Sequence, residues 1–182
     1  MQRDGTGMIE TRFQPIVRLA DGEPCALEVL ARLHHPQHGP LAAGSFVPQV
    51  ETAGLGHQLA ELVVARALDD LPRGFLDAER LSLSVNLPLD VFLCASAAER
   101  LDRQRQAAGV SAAQLVVELT ESQPVDDLDR LTTAMLRWRG SGYRLALDDV
   151  GPQTPQLDAL LELAFDTVKL DISICLLYTS DA

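Results

Sequence analysis

Basic residues are scarce in this chain. Fifteen Lys plus Arg stand against 26 Asp plus Glu, giving a net charge of −11 and a pI near 4.6. That balance repels polyanions, so duplex DNA or RNA is excluded as an expected partner unless the fold gathers a hidden basic patch. A small phosphate ligand stays open, because a few local groups or metal ions outweigh a distant net charge. Cysteine is scarce too. Cys25, Cys94 and Cys175 are odd in number and widely spaced. They form neither a disulfide framework nor a metal-ligand spacing, and they fit a reducing compartment. No uncharged apolar run approaches the roughly 18 residues that a membrane helix requires. The opening M-Q-R-D-G-T-G-M-I-E has no apolar segment of a secretion signal. A cytoplasmic location is therefore the expectation. No internal repeat, low-complexity tract or linker interrupts the 182 residues, and one domain is expected. With 47% hydrophobic and 23% charged residues, the chain suits a packed core rather than a disordered or fibrous state.

The pattern along the chain opens with a hairpin. Arg12–Leu19 and Cys25–Leu33 are apolar runs around the turn Ala20–Glu23, where Gly22 supplies a positive φ. Leu55, Leu59, Leu62, Val63 and Leu68 then recur at helical spacing, which predicts an amphipathic helix over Leu55–Leu71. From there strands and helices alternate. Strands are expected at Leu81–Asn86, Leu115–Leu119, Arg144–Asp148 and Thr167–Asp171. Helices are expected at Asp90–Ala108, stopped by Gly109, at Asp127–Arg139, and near Gln156–Leu163. Six strands in this arrangement predict βα units around a parallel sheet, an α/β fold.

Four of these strands carry a polar or acidic residue after an apolar run. Glu28 lies within A-L-E-V-L, Asn86 ends L-S-V-N, Glu118 ends L-V-V-E, and Asp148 with Asp149 ends R-L-A-L-D-D. In a parallel α/β barrel the C-terminal strand ends converge on one mouth, where active sites are built. Acids converging there repel one another, and divalent cations with oxygen ligands resolve the conflict, Mg²⁺ or Mn²⁺ best. Taken singly, each residue has an ordinary reading: Glu28 as a surface acid of an edge strand, Asn86 as a turn residue before Pro88, Glu118 as a loop cap, and the aspartate pair as a turn. Their repetition at the same place in successive βα units favours the shared mouth. Lys169 in T-V-K-L-D adds one cation, suited to position or help deprotonate a water there. On its own it reads equally as a snorkelling lysine at a strand end.

These residues, in this order, resemble the EAL family of cyclic di-GMP phosphodiesterases. The resemblance rests on Q-P-I-V at Gln14–Val17, E-V-L at Glu28–Leu30 followed by Arg32, H-P-x-x-G at His35–Gly39, and F-V-P-Q-V-E-T-A-G at Phe46–Gly54. It continues with S-V-N-L at Ser84–Leu87, E-L-T-E at Glu118–Glu121, D-D-V-G at Asp148–Gly151 and K-L-D-I-S at Lys169–Ser173. It implies a TIM-like (β/α)8 barrel whose first strand runs antiparallel, with about six of eight strands in residues 1–174. It implies metal ligands at Glu28, Asn86, Glu118 and Asp148, with Asp149 at a second ion, the cofactors being two Mg²⁺ or Mn²⁺ ions. Lys169 would stand beside the attacking water, Gln14, Leu30 and Arg32 would contact cyclic di-GMP, and Glu121 would support the loop after Asp149. The implied reaction opens one phosphodiester bond to give linear pGpG. His34, His35 and His38 then read as an ordinary turn before Pro36, not a zinc site. A homodimer and an upstream sensory or GGDEF-type domain in a longer protein are compatible with the resemblance.

Two stretches depart from the family pattern. The family's D-F-G-x-G-x-S-S appears here as Asp149-Val150-Gly151-Pro152-Gln153-Thr154-Pro155-Gln156, with two prolines and without the second glycine and the serines. After Ser173 the family continues into a charged helix and two more strands, carrying a further metal-binding glutamate and a substrate-contacting glutamine. Here residues 175–182 break the pattern and are expected to be a non-native tail. A closed barrel needs about 250 residues, so the parent protein is expected to hydrolyse cyclic di-GMP while the 182-residue chain alone is expected to be inactive and poorly folded. The alternative readings are a catalytically degenerate cyclic di-GMP receptor, a protein-interaction module, and another metal-dependent barrel hydrolase or lyase.

Overall fold

The turn residues between the first two apolar runs do what their composition dictates. In the computed structural model, which describes residues 8–77, 80–120 and 125–174, β1 (Ile9–Val17) and β2 (Pro24–His35) form an antiparallel hairpin. Gly22 takes φ +74° and donates its N–H to the Arg18 carbonyl at 2.8 Å, closing the turn. A further strand not expected from the sequence, β3 (Gly39–Ala42), folds back antiparallel on the end of β2. It leads into α1 (Ala43–Thr52), also unexpected, which buries only Phe46 and contains Pro48.

The helix α2 (Gly56–Asp70) buries Gly56, Ala60, Val64, Ala67 and Leu68, a stripe at helical spacing that lies against the sheet and a later helix. Three strands follow, each separated by helix: β4 (Ser82–Leu87), β5 (Leu115–Thr120) and β6 (Arg144–Val150). Their side chains are buried on both faces almost throughout; β5 accordingly opens as a continuous apolar run, whereas β4 alternates serine and asparagine with apolar residues although both its faces are buried. The helix expected over Asp90–Ala108 is instead two, α3 (Leu89–Leu93) and α4 (Ala95–Ala107), broken at Cys94. The break has a tertiary cause. It frees the carbonyls of Phe92 and Leu93, which accept the Trp138 indole N–H at 3.0 Å and the Arg137 guanidinium at 3.4 Å. Both donors come from α5 (Leu128–Gly140), which Asp127 caps by accepting the Arg130 N–H at 2.8 Å. The short α6 (Leu157–Leu161) and β7 (Thr167–Leu170) complete the described elements.

The sheet order is β1-β2-β4-β5-β6-β7, with β3 beside β2, and every pairing from β2–β4 onward is parallel. The expected six strands are thus seven among the described residues, and the first is antiparallel as expected. The sheet is not closed: among the described residues β7 pairs with β6 alone. The register climbs as it crosses the sheet. Glu28 pairs with Ser84, Asn86 with Glu118, and Thr120 with Asp148, a step of two residues per strand that keeps the tilted strand ends level at one mouth. No helix among the described residues is long and apolar enough to cross a membrane.

Candidate functional site

Register decides which side chains meet. Glu28 is not at a strand end, as the sequence pattern suggested, but in the middle of the long β2. It nevertheless reaches the mouth because β2 pairs with β4 only over Ala26–Glu28, so Glu28 closes the parallel part of that strand. Asn86, Glu118 and Asp148 follow on β4, β5 and β6. Glu118 is almost wholly buried and Asp148 nearly so. Oxygens of Glu28, Glu118 and Asp148 lie within 4.8 Å of one another.

Lys169 of β7 stands at the centre. Its Nζ donates to Glu118 Oε2 and Asp148 Oδ2, both at 2.9 Å, and lies 3.2 Å from Glu28 Oε2. Asn86 stitches the rim by donating Nδ2 to Glu28 Oε1 at 3.1 Å and accepting from the Thr120 hydroxyl at 3.1 Å. The Ser84 hydroxyl donates to Glu118 Oε1. Ser84 and Thr120 were not anticipated from the sequence. Each lies two residues from a named residue on the same strand, so strict alternation would have placed both on the mouth face.

One ammonium among three carboxylates leaves the mouth short of positive charge. Burial pushes the Glu118 carboxyl above its ordinary value, against the pull of Ser84 and Lys169. Lost solvation and then the neighbouring Asp148 charge do the same for Asp149. Burial alone would lower Lys169, but its hydrogen bonds with Asp148 and Glu118 outweigh that and hold the ammonium far above its ordinary range. Hard carboxylate oxygens, an amide oxygen and excess negative charge are the donor set that Mg²⁺ or Mn²⁺ takes. Glu28, Glu118 and Asp148 could therefore hold an ion.

The remaining candidates surround this cluster. Asp149 is exposed at the end of β6, in the left-handed region at φ 54°, with its N–H on Asp148 Oδ1 at 2.9 Å. Gln14 is exposed and pairs in register with Glu28, so the two share a face. Leu30 and Arg32 continue that face along β2, Arg32 four residues or about 13 Å beyond Glu28. Arg32 donates to its neighbour's carbonyl, that of Ala31, at 2.9 Å. Glu121 lies outside the described residues, as do residues 175–182. The histidines stand apart from the mouth residues: His34 contacts Glu10, and the His35 and His38 rings stack at 4.6 Å.

Known proteins resemble this chain in sequence and fold. Cyclic di-GMP phosphodiesterase NbdA of Pseudomonas aeruginosa is 34% identical over 166 residues, 91% of this chain and 21% of that protein. The chain thus spans about a fifth of that relative's length. Among solved structures, the PaMucR phosphodiesterase in its c-di-GMP complex superposes with a TM-score of 0.83 at 27% identity, covering 96% of this chain and 72% of that one. The FimX EAL domain from Pseudomonas aeruginosa, bound to c-di-GMP, matches in fold with a TM-score of 0.76 at 23% identity, over 92% of this chain and 67% of that one. The EAL domain family model matches residues 3–181, and the chain belongs to that family.

Proposed function

We propose that the protein carrying this chain hydrolyses cyclic di-GMP to linear pGpG. The observation that carries the reading is the convergence of Glu28, Glu118 and Asp148, from three strands, on the Lys169 ammonium at one mouth of an EAL domain. Relatives named as cyclic di-GMP phosphodiesterases, and a phosphodiesterase of the same fold in complex with c-di-GMP, support the choice of substrate.

In this reading Glu28, Asn86, Glu118 and Asp148 would hold divalent Mg²⁺ or Mn²⁺, with Asp149 at a second ion. Bound there, the ions supply positive charge against the attacking and leaving oxygens of an in-line displacement. The chain's own groups do the rest. Lys169 keeps its proton and orients the attacking water by donating to it. Asn86 fixes the Glu28 carboxylate, and Ser84 fixes that of Glu118, so neither must reorganise during the reaction. Gln14 and Leu30 contact the dinucleotide from the face they share with Glu28, and the Arg32 guanidinium donates to a phosphate oxygen. Glu121 supports the segment after Asp149. The water oxygen bonds to phosphorus and gives up one proton, one P–O bond to a sugar oxygen breaks, and that leaving oxygen takes up a proton to become the free hydroxyl of pGpG.

The test is to incubate the full-length protein carrying this chain with cyclic di-GMP and Mn²⁺ and resolve the products by chromatography. Formation of pGpG that stops in EDTA is expected. Tight binding in EDTA with no turnover in Mn²⁺ would identify a receptor instead.

A further inference from the structure

The stretch that departs most from the family pattern, residues 149–156, is tied down in a way its sequence did not advertise. Gln156 precedes α6 in the left-handed region at φ 52°, a conformation that costs a residue with a β-carbon. Its side chain shows why that cost is met. Gln156 Oε1 accepts the N–H of Val125 at 3.0 Å, across 31 residues of sequence. Val125 is buried, so its N–H needs a protein acceptor, and Gln156 provides one. The bond joins the segment entering α5, which follows Glu118 on β5, to the segment entering α6, which follows Asp148 and Asp149 on β6.

The rest of the stretch is braced on either side of this tie. The Gly151 N–H donates to the Thr154 hydroxyl at 2.8 Å, and the Thr154 N–H returns to the Gly151 carbonyl at 3.1 Å. The Val150 carbonyl accepts the Asp171 N–H from the end of β7 at 2.8 Å. A β-carbon on Gly151 would already touch Asp171 and Ser173 at 3.5 Å, so the backbone there is packed close. Pro152 and Pro155 fix two further φ angles. Asp149 sits at the head of this braced segment, and Gln156 anchors its tail to the neighbouring βα unit.

We propose that Gln156 is a positioning residue, whose side-chain carbonyl locks the β6–α6 segment to the β5–α5 segment and thereby holds Asp149 beside Asp148 for divalent-cation binding. The proposal rests on the mouth being a metal site, as under the function proposed above. Gln156→Gly keeps the left-handed backbone without strain and removes the acceptor together with the rest of the side chain. Gln156→Glu keeps an acceptor oxygen at the same reach.

The experiment is a Mn²⁺ titration by calorimetry on the full-length protein carrying this chain, with a Glu28→Ala variant to subtract binding outside the mouth. It is paired with hydrogen exchange at the Val125 amide. For Gln156→Gly the half-saturating Mn²⁺ concentration is expected to rise about five-fold, the worth of one such hydrogen bond, with faster Val125 exchange. Gln156→Glu is expected to restore both. Unchanged Mn²⁺ binding in Gln156→Gly, or a failure of Gln156→Glu to rescue, would overturn the proposal. Mn²⁺ binding at the mouth of the parent without any pGpG formation would sink the phosphodiesterase reading alone, and no mouth binding in the parent would sink both.

Discussion

At the scale of single residues, the mouth carboxylates are held by neighbours that the proposed chemistry would use only indirectly. Ser84 touches the inner oxygen of Glu118, the most buried acid of the cluster. Ser84→Ala leaves that carboxylate held by Lys169 alone, and such losses behind a metal ligand cost about 10–100-fold in metal affinity or activity. Mn²⁺-dependent turnover is the readout, and the melting temperature in EDTA should move little by comparison. Lys169 is the reverse case. Without metal it is the neutralising partner of Glu118 and Asp148, so Lys169→Met strips a buried carboxylate of its cation. A loss of about 1–3 kcal/mol is expected in EDTA by denaturant melting, and Mn²⁺ should recover most of it by supplying the missing charge. Asn86, Glu118 and Asp148 were legible in the sequence because each closes a β-rich stretch, on β4, β5 and β6, with a polar group. Ser84 and Thr120 were not, since a hydroxyl inside a buried strand looks like ordinary packing until its partner is known.

At the scale of elements, legibility followed periodicity. Helices α2 and α5 carry clean buried stripes, Ala60-Val64-Ala67 and Leu131-Ala134-Met135-Trp138, and both were expected nearly to their ends. Helix α1 buries Phe46 alone and is interrupted by Pro48, so it left almost no periodic signal. The break at Cys94 was invisible because its cause lies in α5. Packing between α4 and α5 makes a prediction about pH. The Tyr143 hydroxyl donates to Asp102 at 3.1 Å and accepts from Arg105 at 3.1 Å, with its ring edge-on to Trp138. Burial holds the phenol well above its ordinary value near 10. The folded state thus keeps a proton that the unfolded chain loses, so this contribution is complete below about pH 10 and fades as pH rises beyond it. Denaturant midpoints should fall as pH rises above about 10, and Tyr143→Phe should flatten that part of the decline. An equally steep fall in Tyr143→Phe would assign the effect to other groups.

At the scale of the whole molecule, the parallel sheet places the acids at one mouth but leaves an edge open. Among the described residues β7 has no second partner, and Val168, Leu170 and Ile172 stand 39%, 61% and 69% exposed beside it. An apolar, unpaired edge invites pairing with another chain. The 182-residue chain is therefore expected to self-associate at micromolar concentration, and Leu170→Lys, on the face opposite Lys169, should shift light scattering toward the monomer. Scattering unaffected by that change would place the association elsewhere. Net charge alone, at −11, would have suggested a freely soluble chain; the structure shows part of that charge gathered around Lys169 in the mouth, while Val168 and Leu170 stand exposed on the opposite face of β7.

In the function proposed above, the carboxylates around Lys169 form a metal-dependent phosphodiesterase site. Its most direct test is the rate of pGpG formation from cyclic di-GMP, across a Mn²⁺ series, by the full-length protein and by its Glu118→Gln variant. The account predicts saturable Mn²⁺ dependence in the parent and a loss of at least about 100-fold in Glu118→Gln at every Mn²⁺ concentration. Equal rates in the two proteins, or turnover that persists in EDTA, would contradict it.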